Sequence, residues 1–378
     1  MSSKIYLDHN AGTHLAPEVL EVMETELRYS LGNPSSVHAF GQETRNRITK
    51  ARRTIADYLG VSPSEIYFTS GGTESLNLAI RSLFSNNLGH IITSNVEHAC
   101  VASIVHFLEK QGCRTTYLEA GAYGTVTDDQ VESAVEKDTK AIILIAANNE
   151  TGVMLDIESV AAVAERRNIP LIIDAVSLMG KEVFSIPAGV SAMAFSAHKF
   201  HGPRGVGFLY ARRNFPLKPL IIGGGQEKGL RGGTENVLGI VGMAKAVELI
   251  AKNPQAVMYM RNLRNHLEYS VQQSLDHVIL NGRGPRVSNT VNLSFPGVDG
   301  DSLLMNLDLA GIAVSHGSAC SSGSLEPSRI LLNMGVPMDI ARTSIRFSLS
   351  HYMTHDEINR CVEILVSIVK RLRSIANI

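Results

Sequence analysis

The sequence predicts an α/β protein with a mostly parallel sheet, and three observations lead to that prediction. Between about Ser64 and Tyr210, short runs rich in β-branched residues alternate with helical stretches, as they do in βαβ units. Polar clusters follow most of these runs, and ligands collect at the carboxyl ends of parallel strands. The chain has 378 residues, of which 44% are apolar, so it can bury a large core.

Seven short apolar runs are the predicted strands of this sheet. In chain order they are EIYFTS, HIITS, TTYLEA, AIILIAA, PLIIDAV, AMAFSA and GVGFLYA. The segment GGGQEKGLRGGTE follows them, and its glycines predict a loop. A helical pattern from Asn236 to Lys252 leads into further helices, then into strands around 291–294 and 313–315, and into a last helix that starts at Thr354. This part of the chain predicts a smaller α+β region.

Composition and charge exclude several classes of partner. The formal net charge is −1 and charged residues make up 19% of the chain, so no overall field would attract a nucleic acid or an anionic membrane. The longest apolar run, from Ala141 to Ala147, is far shorter than the roughly 20 residues of a membrane helix, and the first residues do not resemble a secretory signal. We therefore expect a cytoplasmic enzyme with no direct contact to nucleic acid or membrane. The four cysteines form no CxxC pair, so neither a disulfide framework nor a metal site is predicted.

Lys199 and Asp174 each follow an apolar run, in FSAHKFHGPRGVGFLY and PLIIDAV. A lysine that forms a Schiff base needs a sheltered pocket, and hydroxyl and imidazole groups such as those of Ser196, His198 and His201 suit a phosphorylated aldehyde cofactor. A carboxylate at a neighbouring strand end would keep a pyridine nitrogen protonated. Alone, the lysine could be a solvated surface group and the aspartate a helix cap or a magnesium ligand. Together they favour pyridoxal chemistry.

A phosphate site is predicted where EIYFTS runs into a helix through Ser70, Gly71, Gly72 and Thr73. Small residues at a helix start leave backbone N–H groups available, and the helix dipole favours a phosphate there. An ordinary threonine cap with glycine turns explains this segment equally well when it is taken alone. The segment lacks GKS or GKT, so it is not a nucleotide-binding P-loop.

A set of motifs, in one order along nearly the whole chain, resembles the NifS/IscS-type cysteine desulfurases of the class V aminotransferase family. The motifs are YLDHNAGT, GNPSSVHAFG, FTSGGTESLNLAI, VEHACV, NNETG, DAVSLMGK, FSAHKFHGPRGVG, GGGQEKGLRGGTENV, HGSACSSGSLEPS and SIRFSLS. The resemblance implies the type I fold of pyridoxal-phosphate-dependent transferases, whose large domain has a mainly parallel seven-stranded sheet. It assigns residues 14–256 to that domain, and residues 1–13 and 257–378 to a smaller α+β domain that carries the nucleophile loop, about 316–326.

The resemblance also implies a role for each matching position, with pyridoxal 5'-phosphate as the cofactor. Lys199 would form the Schiff base, Asp174 would bind the ring nitrogen, and His98 would stack on the ring and move protons. A second subunit of a homodimer would complete the phosphate site by contributing its threonine at position 234. The phosphate ligands would be Gly72, Thr73, Ser196, His198 and Thr234.

The substrate implied by the resemblance is L-cysteine. Asn149 would lie near the cofactor hydroxyl and the substrate carboxylate, and Arg346 would bind that carboxylate through its two-pronged guanidinium. Two positions depart from the family pattern. Ser177 stands where relatives usually have glutamine, and its side chain is too short for the same contact with the cofactor's phenolic oxygen. His316 stands where relatives commonly have serine, close to the proposed nucleophile.

Cys320 lies in SHGSACSSGS, a run of small polar residues that cannot bury a thiol deeply. In the family this position is the nucleophile that carries a persulfide, and it can transiently contact an iron–sulfur cluster. A protein would then accept the sulfur, either an iron–sulfur scaffold or a thiolation protein, and DNA phosphorothioation is a further pathway that family members serve. Cys100, Cys113 and Cys361 lie in apolar surroundings and are predicted to be structural.

Two alternative functions remain open at this point. The first is a selenocysteine lyase or another class V pyridoxal enzyme, which would not need Cys320. The second is a sulfur-transfer platform that depends on a partner and catalyses weakly by itself. A nicotinamide-dependent dehydrogenase is disfavoured because no GxGxxG lies between a predicted strand and a helix.

Overall fold

The computed structural model describes residues 4–29, 31–85, 88–317 and 327–375. Its helices are α1 (Pro17–Tyr29), α2 (Ala39–Leu59), α3 (Gly72–Phe84), α4 (Ala99–Lys110), α5 (Asp128–Ser133), α6 (Ile157–Arg167), α7 (Val237–Lys252), α8 (Gln255–Ser274), α9 (Gly300–Leu309), α10 (Arg329–Asn333), α11 (Met338–Ala341) and α12 (His355–Ile375). Its strands are β1 (Ile5–Tyr6), β2 (Ile66–Thr69), β3 (His90–Ser94), β4 (Arg114–Leu118), β5 (Thr139–Ile145), β6 (Leu171–Asp174), β7 (Val190–Ser196), β8 (Gly207–Ala211), β9 (Ile279–Leu280), β10 (Thr290–Ser294), β11 (Ile312–Ala313) and β12 (Ser344–Ser348).

The predicted α/β architecture is confirmed. A seven-stranded sheet has the order β2-β8-β7-β6-β5-β3-β4, and each of the seven apolar runs contributes one strand. Strand β8 runs antiparallel to both of its neighbours, while the other pairings are parallel. The carboxyl ends of β2, β3, β5, β6 and β7 therefore lie along one edge, where a ligand site is expected.

The sheet is buried on both faces, which explains why its strands are continuous apolar runs. Successive side chains of a strand point to opposite faces. In β5, Ile142 and Leu144 pack into a cluster with residues of α2, α6 and α7, whereas Ala141 and Ile143 pack with residues of α3 and α4. This alternation places two helical layers around the strands that carry the polar groups of the site.

A separate apolar cluster has its members at Ile5 and Leu7 and at apolar positions between Leu263 and Val369. Helix α12 contributes Ile358, Cys361, Leu365 and Val369, whose spacing of three and four residues forms one apolar face of a helix. This cluster also surrounds the antiparallel strands β9, β10 and β12 and includes Ile5 of β1, which pairs with β11. The domain boundaries after residues 13 and 256 stay a prediction.

The helices predicted from Asn236 and Thr354 are confirmed as α7 and α12. Asn236 caps α7 by accepting a hydrogen bond from the Gly239 N–H, a common role for asparagine before a first turn. The strand predicted at 313–315 is shorter, because Ser315 pairs instead with Arg346 in an isolated bridge. Within the described residues, no helix has the length and apolarity needed to cross a membrane.

Candidate active site

A cavity of about 260 Å³ opens at the carboxyl ends of β5, β6 and β7. Its walls come from the segments that follow these strands and from the starts of α3 and α4, with Asn10 and Ala11 on one side. The predicted site residues that line it are Gly72, Thr73, His98, Asn149, Asp174, Ser177, Ser196, His198, Lys199 and Arg346. Residues that are up to 274 positions apart in the sequence, Gly72 and Arg346, thus meet in one site.

Two predicted site residues are not placed in this cavity. Cys320 lies outside the described residues, so its role stays a prediction. Thr234 does not line the cavity of its own chain, and its predicted role concerns the site of a second subunit.

Lys199 lies at the end of a short 3₁₀ turn, Ala197–Lys199, that follows β7. Its Nζ donates hydrogen bonds to the backbone carbonyls of Asn10, at 2.5 Å, and Ala11, at 3.1 Å. The amine is therefore held inside the cavity and not on the open surface. A lysine in such a position can exchange bonds with a carbonyl-containing ligand.

Asp174 ends β6, the strand next to β7, and it is 3% exposed. Its Oδ1 accepts a hydrogen bond from the Val176 N–H at 3.0 Å. Burial raises the pKa of the Asp174 carboxyl, and the nearby His98 imidazole and Lys199 amine oppose this rise. A protonated ring nitrogen beside Asp174 would form an ion pair with the buried carboxylate and compensate its charge.

His98 precedes α4 and faces the same cavity. Its Nδ1 accepts a hydrogen bond from the Cys100 N–H at 3.1 Å, so the hydrogen of the neutral ring is assigned to Nε2. Burial lowers the pKa of His98, with Lys199 and Arg329 acting in the same direction and Asp174 against it. His98 thus caps a helix and also offers an N–H to the cavity.

The start of α3 forms a cradle with space for an anion. A Cβ added to Gly72 would lie 2.3 Å from Val176 Cγ2, and one added to Gly71 would lie 3.2 Å from Ser196 Oγ. Because these side chains are absent, the first N–H groups of the helix stay accessible beside Ser196 and His198. Ser196 Oγ and His198 Nδ1 are 3.0 Å apart. Burial, followed by the charge of Lys199, lowers the pKa of His198 to about 4.

Arg346 lies on β12 and is 1% exposed. Its Nη2 donates to Asp8 Oδ1 at 2.7 Å and its Nη1 donates to the Asn149 carbonyl at 3.0 Å. The buried Nε has no hydrogen-bond partner among the described residues. The guanidinium is thus fixed in place but incompletely paired, which suits the binding of a carboxylate.

Known proteins are similar to this chain in fold and in sequence. The chain matches the class-V aminotransferase family over residues 5–361. It is 44% identical to the cysteine desulfurase IscS of Dictyoglomus turgidum, over 100% of this chain and 97% of that protein. A solved NifS-like protein is 36% identical with a TM-score of 0.90, over 98% of this chain and 100% of the other. The structure described as SspA in complex with cysteine is 36% identical with a TM-score of 0.81, over 93% and 100% of the two chains.

The chain belongs to the class-V aminotransferase family. Within it, the relatives matched over their full length are cysteine desulfurases of the IscS and NifS type, as the ordered motifs predicted. The family uses pyridoxal 5'-phosphate, and the residues of the cavity fit this cofactor. Asp174 offers a buried carboxyl for a ring nitrogen, the start of α3 offers unobstructed N–H groups for a phosphate, and Lys199 offers an amine for the aldehyde.

His201 lies elsewhere than the sequence suggested. It was expected to suit the cofactor phosphate, but it does not line the cavity. Its ring lies 4.9 Å from that of His14, 5.1 Å from that of His351 and 6.0 Å from that of His9. We call these four residues the histidine cluster. His201, two residues after Lys199, adopts a left-handed backbone conformation with φ of 64°.

Two residues that line the cavity, Cys100 and Asn10, were not predicted to lie there. Cys100 packs beside an apolar cluster, as predicted, but it also lines the cavity, because the first turn of α4 faces the strand ends. Burial raises the pKa of its thiol to about 11, so it is protonated and a weak nucleophile. Cys113 and Cys361 are buried. The contact of Asn10 with Lys199 was not predicted either, since nothing in YLDHNAGT marks this asparagine.

Proposed function

We propose that this protein moves the sulfur of L-cysteine onto Cys320, releases L-alanine, and passes the sulfur to a protein acceptor. The observation that carries the proposal is the cavity itself, in which a lysine amine, a buried carboxyl, an anion cradle and a buried arginine face one another. The full-length relatives that are named cysteine desulfurases support the same reaction.

Arg346 and Asn149 would hold the substrate by its carboxylate. Arg346 is kept in place by Asp8 and by the Asn149 carbonyl, so a carboxylate would meet a guanidinium whose orientation is already fixed. Fixed donors bind a carboxylate at a lower entropic cost than mobile ones. Binding here would direct the substrate amine and Cα toward Lys199.

Lys199 would act as the base that removes the proton from the substrate Cα. Pyridoxal 5'-phosphate, when bound, supplies an electron sink for the bond that loses this proton. Asp174 would keep the ring nitrogen protonated and so maintain that sink. His98, with its hydrogen on Nε2, would stack on the ring and pass protons to and from the reacting atoms.

The sulfur step would use Cys320 as a thiolate. The thiolate attacks the substrate sulfur, the bond between that sulfur and Cβ breaks, and an S–S bond forms on Cys320. The electron pair of the broken bond stays with the substrate, Cβ takes up a proton, Cα regains the proton that was removed from it, and the product leaves as L-alanine. Gly317, three positions before Cys320 in the sequence, lies beside Glu150, which follows the cavity residue Asn149 in the chain.

A homodimer would complete the phosphate site through Thr234 of the second subunit. Leu31, Val37 and Ile222 expose 84%, 86% and 87% of their surface, and their two segments contribute Pro34 and Gly225 to the lining of one groove. Exposed apolar side chains that lie together mark interaction surfaces. Light scattering should give twice the 40.9 kDa of one chain, and a monomer that binds the cofactor fully would contradict the proposal.

The release of alanine and sulfide from L-cysteine, with a reductant present, tests the proposed function. Wild type and Cys100→Ala should turn over at similar rates, because the Cys100 thiol is protonated. The turnover rate of Cys320→Ala should be at least about a hundredfold lower than that of wild type, as is seen when an activated nucleophile is removed. Equal activity of wild type and Cys320→Ala would show a lyase that needs no thiol nucleophile. Cys100→Ala is the matched control for removing a thiol near the cofactor.

A further inference from the structure

The side chain of Asn10, a residue that lines the cavity, bonds to four other residues. Its Oδ1 accepts hydrogen bonds from Lys181 Nζ at 3.0 Å and from Asn289 Nδ2 at 3.2 Å. Its Nδ2 donates to the Asn149 carbonyl at 3.0 Å and to Thr290 Oγ1 at 2.8 Å. All four hydrogen-bonding positions of this amide are filled. A buried, fully bonded amide fixes the backbone around it.

The backbone at this position receives the Lys199 amine. The Asn10 and Ala11 carbonyls accept from Lys199 Nζ, and two carbonyl oxygens form stronger hydrogen bonds with an ammonium group than with a neutral amine. The Asn149 carbonyl that accepts from Asn10 also accepts from Arg346 Nη1. The same asparagine therefore connects the resting amine with the group that would bind the substrate carboxylate.

Lys181 is the buried donor that holds the Asn10 side chain. The side chain is buried, at 3% exposure, and the described residues give it no carboxylate within ion-pairing distance. Burial lowers the pKa of Lys181 well below its usual value, and the charges of Lys199 and Arg346 lower it further. Its amine donates to Asn10 Oδ1 in either protonation state.

We propose that Asn10 is a positioning residue that holds the site where the free Lys199 amine rests as an ammonium group, and that Lys181 fixes Asn10 in that orientation. The ammonium group is the form that Lys199 reaches once it has taken the proton from the substrate Cα. The proposal rests on the proposed function in one respect, since Lys199 must be released from the cofactor for the resting site to be used. Its consequence is chemical. When the carbonyls are well placed, Lys199 keeps its proton to a higher pH than it would without them.

The reactivity of the Lys199 amine, measured across pH in the full-length chain after removal of the cofactor, tests this proposal. Trace labelling with acetic anhydride, followed by mass spectrometry of the Lys199 peptide, reports the fraction of unprotonated amine at each pH. In Asn10→Ala the labelling midpoint should move to lower pH by about one unit, so that labelling at a fixed pH below the midpoint rises about tenfold. Lys181→Met, which keeps the apolar stem and removes the donor, should move it in the same direction.

Asn281→Ala is the matched control, because Asn281 is also a buried amide with side-chain partners, Asn292 and Ser294, away from the cavity. It should leave the Lys199 midpoint unchanged. A midpoint that is the same in wild type, Asn10→Ala and Lys181→Met would overturn the proposal. If Asn10→Ala does not fold, Lys181→Met decides the question alone. The measurement needs neither turnover nor Cys320, so a failure of the desulfurase proposal would not be mistaken for a failure of this one.

Discussion

At the scale of single residues, the histidine cluster has titration properties that the sequence did not reveal. Burial, followed by the charge of His351, lowers the pKa of His201 to about 3, and burial, followed by the charge of His14, does the same for His9. Each ring stays neutral in the folded protein at pH values where it would be protonated in the unfolded chain. The folded protein therefore loses stability as the pH falls from about 6.5, the usual histidine pKa, toward 3.

Replacing one of these rings should reduce that loss. His201→Asn removes a group that takes up a proton only when the protein unfolds. The free energy of unfolding of the variant minus that of wild type should therefore rise by up to about 2 kcal/mol when the pH is lowered from 7 to 5. Urea unfolding at the two pH values measures this difference. His106→Asn, at an exposed ring outside the cluster, is the control. Parallel pH profiles for wild type and His201→Asn would show that His201 is not buried as a neutral ring.

Asn10 and Lys181 show why part of the site could not be predicted at this scale. They are 171 positions apart in the sequence and meet through a single hydrogen bond. Both are ordinary polar residues, and one sequence carries no signal for a contact across that distance. Lys199 and Asp174 were predictable because each follows an apolar run whose strand type and position could be recognised.

At the scale of elements, the start of α3 should tolerate no side chain at position 72. A methyl group there would lie 2.3 Å from Val176 Cγ2, so the helix or Val176 must move, and overpacking of this kind costs about 1–3 kcal/mol. Gly72→Ala should therefore weaken cofactor binding by about tenfold, since 1.4 kcal/mol corresponds to a factor of ten. Titration of the cofactor-free chain with pyridoxal 5'-phosphate, followed by absorbance, measures the affinity.

The double variant Gly72→Ala/Val176→Ala is the control for this clash. It removes the Cγ2 atom that the new methyl group would meet, so it should recover part of the lost affinity relative to Gly72→Ala. If the double variant binds no better than the single one, the glycine is required for a reason other than its approach to Val176.

The elements themselves were largely predictable. The seven strands were recognised because a sheet buried on both faces produces continuous apolar runs, and α7 and α12 because their apolar faces repeat at helical spacing. The length of strand β11 was not predicted correctly, because it depends on the pairing of Ser315 with Arg346. Such pairing between distant segments is a tertiary effect that a local pattern does not contain.

At the scale of the whole molecule, the fold brings two separate apolar clusters to the sides of one cavity. The sheet supplies Lys199 and Asp174, and β12 supplies Arg346. The family could be recognised from the sequence because several of its motifs, among them FTSGGTESLNLAI, DAVSLMGK and FSAHKFHGPRGVG, carry residues that line the cavity. The sequence did not predict how the cavity residues contact one another, since those contacts depend on the packing of distant segments.

In the proposed reaction, the sulfur of L-cysteine moves to Cys320. Mass spectrometry of the cofactor-loaded enzyme after a single addition of L-cysteine without reductant tests this step. We expect the Cys320 peptide to gain the mass of one sulfur atom, one L-alanine to be released for each such peptide, and Cys100→Ala to behave in the same way. Alanine release with no added sulfur on the Cys320 peptide, or with the sulfur on Cys100, would contradict the proposed reaction.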